Sequence, residues 1–157
     1  MKKVLLLFAF LLIIVGGVVL AQNYLKEGGM SFFKKTSTVT IGDHSFEVTV
    51  ATSQQEREIG LSQTKSLQQD QGMIFLFEKP DYHSFWMKNM KFPIDIIYIN
   101  GDKIVTIQND AQPPKENEEI SIIYTPTEPS DKVLEIQAGL SKEYNFKNGD
   151  KIIIENL

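Results

Sequence analysis

The segment FWMKNMKFPIDIIYI, residues 85–99, places the only tryptophan of the chain, a Lys-Asn pair and one aspartate in a largely apolar run. The residues after Pro93 are β-branched or aromatic and end at Asn100, a composition typical of a strand followed by a tight turn. Successive side chains of a strand point to opposite faces. Both faces of this strand are apolar, which predicts burial on both sides, but Asp95 shares one face with Ile97 and Ile99.

Asp95 therefore needs a partner, because an unpaired carboxylate is unfavourable away from water. The nearest polar residues are Lys88 and Asn89, across the break at Pro93. We expect Asp95 to pair with one of them. Two interpretations remain open: a structural cluster that fixes the crossing of the chain, or a ligand site in which Trp86 supplies the apolar face and the polar groups orient the ligand.

Short alternating or apolar segments separated by turn signals make up the rest of the chain. They predict strands over residues 38–41, 45–51, 72–77, 94–99, 103–108, 120–124, 132–137 and 151–155. Ser53-Gln54-Gln55-Glu56 has the spacing of a capping box, which predicts a short helix that ends at Gly60. A second turn or helix is predicted over residues 141–146. Short strands without a long βαβ period predict one mainly-β domain, a sandwich or barrel with helical decoration.

The N-terminus has the layout of an export signal. Lys2 and Lys3 precede an apolar run from Val4 to Ala21, as in a signal peptide or an N-terminal anchor. The run is long enough to cross a bilayer, which needs roughly 17–25 residues. Residues 1–21 are thus predicted to be a signal peptide or transmembrane anchor, 22–36 a linker and 37–157 the domain. Because lysines favour the cytoplasmic side, the domain is expected outside the cytoplasm, membrane-anchored or secreted.

Composition excludes several classes of site. Cysteine is absent, which removes disulfides, thiolate nucleophiles and cysteine metal ligands. Two histidines without motif spacing do not predict a zinc site. Copper could bind through Met73, Met87, Met90 and His83, but methionines at apolar positions more often pack in the core. Without the two N-terminal lysines, 14 basic residues face 20 acidic ones, a formal charge of −6. We expect no cofactor, no metal and no nucleic-acid partner.

Several motifs occur in the order of a known family: Gly60-Leu61, Gly72-Met73-Ile74-Phe75, Phe85-Trp86-Met87-Lys88-Asn89, Pro93-Ile94-Asp95-Ile96, and Leu134-Glu135-Ile136 with Ala138-Gly139. Together they resemble the domain-of-unknown-function family 192 (DUF192), from about Thr38 to the C-terminus. The resemblance implies a compact, jelly-roll-like β domain, often exported, without an established activity. The polar pattern of the family corresponds here to Arg57, Trp86, Lys88, Asn89, Asp95 and Glu135.

One part of the chain departs from that family pattern. Where the family carries Met after the Gly-Leu pair and Arg three residues beyond the Leu, this chain has Ser62 and Thr64. If the family arginine contacts a ligand, this chain binds that ligand differently, with Lys65 as a partial substitute.

The candidate residues support three hypotheses. A non-enzymatic binding or accessory module for a cell-envelope ligand, such as a glycan or another small polar molecule, would use Arg57, Trp86, Lys88, Asn89 and Asp95. A hydrolase-type enzyme would use Asp95 and Glu135 as acid and base, with Lys88 and Arg57 positioning the substrate. This second hypothesis requires the two carboxylates to converge on an open cleft. A purely structural interaction domain would keep the whole polar cluster away from solvent. We favour the binding module.

Overall fold

The computed structural model describes residues 35–115 and 122–157, which are mainly β with two short helices. The strands are β1 Thr36–Ile41, β2 His44–Ala51, β3 Gln71–Asp81, β4 Phe85–Trp86, β5 Ile94–Asn100, β6 Lys103–Ala111, β7 Ile123–Tyr124, β8 Ser130–Gln137 and β9 Ile152–Glu155. The helices are α1 Gln54–Ile59 and α2 Leu140–Glu143. The predicted mainly-β class with two short helices is confirmed.

Seven strands form one mixed sheet in the order β6-β5-β8-β3-β2-β1-β9, and β4 pairs with β7 in a separate two-stranded ribbon. Neighbours in the sheet are antiparallel except β2 and β3, which are parallel. The sheet curls into a half-barrel. Its two edge strands approach each other at one end, where Lys103 forms a bridge with Lys151 and the N–H of Ile104 donates to the carbonyl of Asp150 at 3.0 Å.

Each face of the curled sheet carries a buried apolar cluster. Strand β5 contributes Ile97 and Ile99 to one cluster and Ile94, Ile96 and Tyr98 to the other, because its side chains alternate between the faces. The predicted burial of this strand on both faces is therefore confirmed. The ribbon of β4 and β7 lies on the Tyr98 side, where the Tyr98 hydroxyl donates to the carbonyl of Tyr124 at 2.9 Å.

The predicted turn after residue 99 is confirmed, since Asn100 pairs with Lys103 and Gly101 has a φ of 60°. Other boundaries differ from the prediction. Strand β3 continues four residues beyond Phe77, and β6 continues through residues 109–111, beyond its predicted end at residue 108. Of the strand predicted over residues 120–124, residues 123–124 form β7, while residues 120 and 121 lie outside the described residues.

Helix α1 begins at the predicted capping box. The N–H of Glu56 donates to Ser53 Oγ at 3.2 Å, and the N–H of Ser53 donates to the Glu56 carboxylate at 2.8 Å. Hydrogen bonds from the backbone of Ser53 and Thr52 lower the pKa of Glu56 to about 2. Gly60 ends the helix, and its N–H donates to the carbonyl of Glu56. The capping box thereby fixes the short helix that carries Arg57.

We expect Ser53→Ala to lower the free energy of unfolding by about 1 kcal/mol, because the N–H of Glu56 loses its acceptor. Urea unfolding followed by circular dichroism at pH 7 measures the change. Ser66→Ala, at an exposed position in a loop, is the matched control and should change the free energy of unfolding by less than about 0.5 kcal/mol. Equal losses in the two variants would contradict the capping role of Ser53.

Residues Lys35–Leu157 form one compact unit. Within the two described ranges, no helix is both long enough and apolar enough to cross a membrane. The signal peptide or anchor predicted over residues 1–21 lies outside the described residues, as does nearly all of the predicted linker.

Candidate functional site

Trp86 is a surface residue, with 55% of its area exposed. It ends strand β4, so the ribbon presents the indole. A groove of about 250 Å³ lies beside it, lined by residues that include Gln54, Arg57, Glu58, Phe77, His83 and Phe85. An inner cavity of about 30 Å³ shares Arg57, Glu58, Phe85 and Trp86 with that groove and also contacts Lys88 and Glu135. We call the groove and the inner cavity together the Trp86 cleft.

Two cations border the Trp86 cleft. The Arg57 guanidinium lies 5.1 Å from the ring centroid of Phe77, and its Nη1 donates to the carbonyl of Leu76 at 3.1 Å. The Nζ of Lys88 lies 5.2 Å from the ring centroid of Trp86. These cation–π contacts orient both side chains without neutralising them. In the part of the chain that the structure describes, neither cation forms an ion pair.

Glu135 lies at the inner cavity, in the middle of β8 and opposite Met73 of β3 and Ile96 of β5. Only 5% of the residue is exposed, and its Oε2 has no hydrogen-bond partner within residues 35–115 and 122–157. Burial raises the pKa of Glu135 to about 8, because the charged form loses its hydration. Burial, and secondly the nearby Glu135, also raise the pKa of Tyr98. Glu135 is thus mainly a neutral carboxylic acid at pH 7, able to donate and to accept a hydrogen bond.

Asp95 is fully buried, and three backbone amides bind its carboxylate. Oδ1 accepts from the N–H of Asp110 at 2.8 Å and from that of Gly139 at 3.0 Å, and Oδ2 accepts from the N–H of Ser141 at 2.8 Å. Gly139 is the N-cap of α2 and provides no side-chain cap. Asp95, in strand β5, therefore provides the hydrogen-bond acceptor for the free backbone amides at the start of α2.

The structure separates Asp95 from the residues with which the sequence grouped it. The expected pairing of Asp95 with Lys88 or Asn89 is wrong, because its partners are backbone amides. The convergence of Asp95 and Glu135 that the hydrolase hypothesis requires does not occur. Asp95 pairs with Ile136, the neighbour of Glu135 in β8, so the two carboxylates point to opposite faces of the sheet.

Asn89 lies in an exposed turn that follows β4. Its φ of 61° is left-handed, a conformation that asparagine tolerates better than most residues, and the N–H of Met90 closes the turn on the carbonyl of Met87 at 3.1 Å. The strand ends at Trp86, so both Lys88 and Asn89 lie in the turn that follows it. The left-handed backbone of the turn explains why asparagine occupies position 89.

Four of the six candidate residues therefore meet at the Trp86 cleft: Arg57, Trp86, Lys88 and Glu135. Sequence reasoning missed Glu58, Phe77 and Phe85. Gln54 and Glu58 are four residues apart and share one face of α1, where Gln54 Nε2 donates to Glu58 Oε1 at 2.8 Å. That spacing was a usable signal, but only the packing of α1 shows that this face borders the cleft.

The residues of the copper hypothesis have other contacts. Met73 and Met87 are buried in the apolar cluster on the Tyr98 side of the sheet, and the ring of His83 stacks on Phe77 with 3.6 Å between centroids. Across residues 35–115 and 122–157, no group of three or more His, Asp or Glu side chains is arranged to hold a metal ion.

A larger groove, of about 390 Å³, lies at the turn between β1 and β2. There His44 stacks on Tyr144 with 3.7 Å between ring centroids, and Phe146 contacts both rings. These rings cover one another, and none of the residues lining this groove has a buried polar side-chain atom without a partner. The Trp86 cleft has such an atom and an exposed indole, so it is the stronger candidate despite its smaller volume.

The curled β sheet and the Trp86 cleft are built from the motifs that resemble the family named above. The sequence profile of DUF192, described as an uncharacterized conserved group (Uncharacterized ACR), matches residues 37–154. The chain therefore belongs to DUF192. No curated protein matches the chain.

Two solved structures are similar to this chain. A protein of unknown function from Novosphingobium aromaticivorans DSM 12444 is 34% identical, with a TM-score of 0.66 over 75% of this chain and 83% of its own. A protein from Sinorhizobium meliloti 1021, proposed to be a transcription regulator, is 30% identical, with a TM-score of 0.67 over 82% of this chain and 98% of its own. Both are similar in fold and sequence, and neither has a stated ligand.

Proposed function

We propose that this domain is a non-enzymatic binding module that takes a small polar ligand of the cell envelope, such as a glycan fragment, into the Trp86 cleft. Residues 4–21 anchor it to the membrane or direct its export, and the domain lies outside the cytoplasm. In this proposal the curled sheet and the β4–β7 ribbon are the two layers of a jelly-roll-like sandwich. The observation that carries the proposal is the exposed Trp86 in a cleft with two cations that form no ion pair with any described residue.

The composition of the Trp86 cleft supports a small polar ligand. An aromatic ring supplies flat apolar area, and a few aimed polar groups fix the orientation of what lies on it. The groove of about 250 Å³ is slightly smaller than the pockets of roughly 300–1,000 Å³ that hold drug-sized molecules. A ligand of one sugar ring suits that volume.

Two other functions receive less support. A purely structural domain would shield the polar cluster, whereas Trp86 and Lys88 are exposed and only Asp95 is fully buried. Transcription regulation, proposed for the S. meliloti protein, would require DNA binding, which the formal charge of −4 of this chain disfavours.

We expect Trp86 fluorescence to be red-shifted and readily quenched by acrylamide, because the indole is exposed. Trp86 is the only tryptophan, so the signal has a single source. The full chain is measured in a detergent without a sugar headgroup, and fragments of envelope glycans are then added. A bound fragment should protect the indole from the quencher. A blue-shifted emission that acrylamide does not quench would contradict a binding role for Trp86.

Substitution separates binding from stability. We expect Trp86→Ala to abolish binding of the glycan fragments in an NMR or calorimetric titration. The free energy of unfolding should change by less than about 1 kcal/mol, well below the effect of a core aromatic truncation. Tyr82→Ala is the matched control, since Tyr82 is a comparably exposed aromatic at 52% and does not line the cleft. It should bind as the wild type does.

A hydrolase-type enzyme is the second candidate function, and Glu135 is the observation that favours it. A buried carboxylic acid that keeps its proton at neutral pH is suited to protonate a leaving group. Asp95 cannot be its partner, but Glu58 lines the same inner cavity. Hydrolysis of 4-nitrophenyl glycosides by the wild type, abolished in Glu135→Gln, would establish this activity. Equal release of 4-nitrophenol with and without the protein would exclude these substrates.

A further inference from the structure

We propose further that the ligand of the Trp86 cleft is an acidic sugar, whose carboxylate binds Arg57 and Lys88 while one of its hydroxyl groups reaches Glu135. The ring of the sugar lies on Trp86. This inference rests on the proposed function, because it specifies the ligand of the same cleft.

The charges of the cleft favour an anion. Arg57 and Lys88 line the inner cavity, and among its ionised groups only Glu58 opposes them, so these two cations and one carboxylate leave a local charge of +1. The whole chain carries a formal charge of −4, so the cleft has the opposite sign of charge to the protein as a whole. Arg57 has Nη2 and Nε available besides the bonded Nη1, and a guanidinium binds a carboxylate through two parallel hydrogen bonds.

The inner cavity favours a hydroxyl group next to that anion. Its volume of about 30 Å³ exceeds the roughly 10–15 Å³ that one water-sized group requires and is far too small for a ring. Glu135 lines this cavity, and its buried Oε2 has no hydrogen-bond partner among the described residues. A sugar hydroxyl donates and accepts at once, which matches a neutral carboxylic acid with one free oxygen. A buried polar atom that lacks a partner is stabilised when a ligand provides one.

The protonation state of Glu135 links this binding to pH. Among the described residues, the other titratable groups that line the inner cavity are Arg57 and Glu58 from α1 and Lys88 from the loop after β4. Tyr98 from β5 interacts electrostatically with Glu135. Tyr98 stays neutral, since its pKa is raised, mainly by burial. Above a pH of about 8 Glu135 becomes negative and repels a bound carboxylate. Affinity for the acidic sugar should therefore fall about tenfold or more between pH 6.5 and 9.5.

Two methyl glycosides that differ at one carbon test the inference. Methyl β-D-glucuronide carries a carboxylate where methyl β-D-glucoside carries a hydroxymethyl group. Each is titrated into the full chain in detergent without a sugar headgroup, with Trp86 emission as the readout. The glucuronide should bind at least tenfold more tightly than the glucoside. Lys88→Gln should remove most of that preference, whereas Lys91→Gln, an exposed lysine outside the cleft, should retain it.

Glu135→Gln provides a second readout that does not depend on the charge of the cations. The affinity of this variant for the glucuronide should stay constant between pH 6.5 and 9.5, whereas that of the wild type should fall. If this variant does not fold, the wild type alone decides, because an affinity that stays constant over that pH range would overturn the role of Glu135.

The other outcomes separate this inference from the proposed function. Equal affinity for the two glycosides would overturn the acidic-sugar inference and leave a sugar-binding module. A response to sodium acetate as strong as that to the glucuronide would also overturn it, because the cleft would then bind an anion without a sugar ring. No response to either glycoside, together with no protection by envelope fragments, would overturn both proposals.

Discussion

Asp95→Ala should lower the free energy of unfolding by about 3–5 kcal/mol, a large share of the stability of a domain of this size. The substitution leaves the amides of Asp110, Gly139 and Ser141 without their acceptor in a fully buried position. Each hydrogen bond to a charged acceptor contributes roughly 1.5–3 kcal/mol, and these contributions are not additive. The start of α2 should also lose its order, because Asp95 replaces the side-chain cap that Gly139 cannot supply.

Urea unfolding at pH 7 measures this loss, with Asp95→Asn and Asp102→Ala alongside. Asparagine keeps one acceptor oxygen, so its loss should be intermediate. Asp102 is exposed and lies 3.5 Å from Lys151, and its removal should change the free energy of unfolding by less than about 1 kcal/mol, as is usual for surface ion pairs. A change in the free energy of unfolding for Asp95→Ala as small as that for Asp102→Ala would contradict a structural role for Asp95.

Glu135→Gln should flatten the dependence of stability on pH. In the folded state burial raises the pKa of Glu135 from 4.5 to about 8. Between these values the folded protein keeps a proton that the unfolded chain releases, so the free energy of unfolding of the wild type falls as pH rises from about 4.5 to 8 and levels off above that. The contribution of this one group is on the order of 3–5 kcal/mol. Glutamine does not titrate and has nearly the same shape.

The variant should therefore gain stability relative to the wild type as pH rises. Urea unfolding from pH 5 to 9 gives the difference between the two proteins at each pH, in which the contributions of other titrating groups cancel. Glu47→Gln, at an exposed position of β2, is the matched control and should differ from the wild type by a constant amount. A constant difference for Glu135→Gln would show that its carboxyl is ionised and satisfied in the folded state.

The two buried carboxylates thus have different roles although they lie on adjacent strands. Asp95 is saturated by backbone donors and holds β6 and α2 in place. Glu135 lines the Trp86 cleft, and its buried Oε2 has no partner among the described residues. A carboxyl group without a partner is unfavourable for stability, so its position in a cavity shared with an exposed tryptophan and two cations supports the proposed ligand site.

Sequence reasoning predicted the parts of the fold that depend on near neighbours. The double burial of β5 follows from the alternation of side chains along one strand, and the capping box at Ser53 depends on two residues three positions apart. Trp86 and Lys88, two residues apart in the sequence, both line the inner cavity. The tight turn after β5 likewise depends on adjacent residues.

The assignments that failed depend on residues far apart in the chain. The donors to Asp95 are 15, 44 and 46 residues away, and no local pattern indicates which amides a buried carboxylate meets. The sequence alone determined the mainly-β class, the buried strand with its one carboxylate, and the tryptophan segment as the place to search. Only the tertiary structure decided that Asp95 caps a helix while Glu135 faces the cleft, because strand register sets which side of the sheet each carboxylate enters.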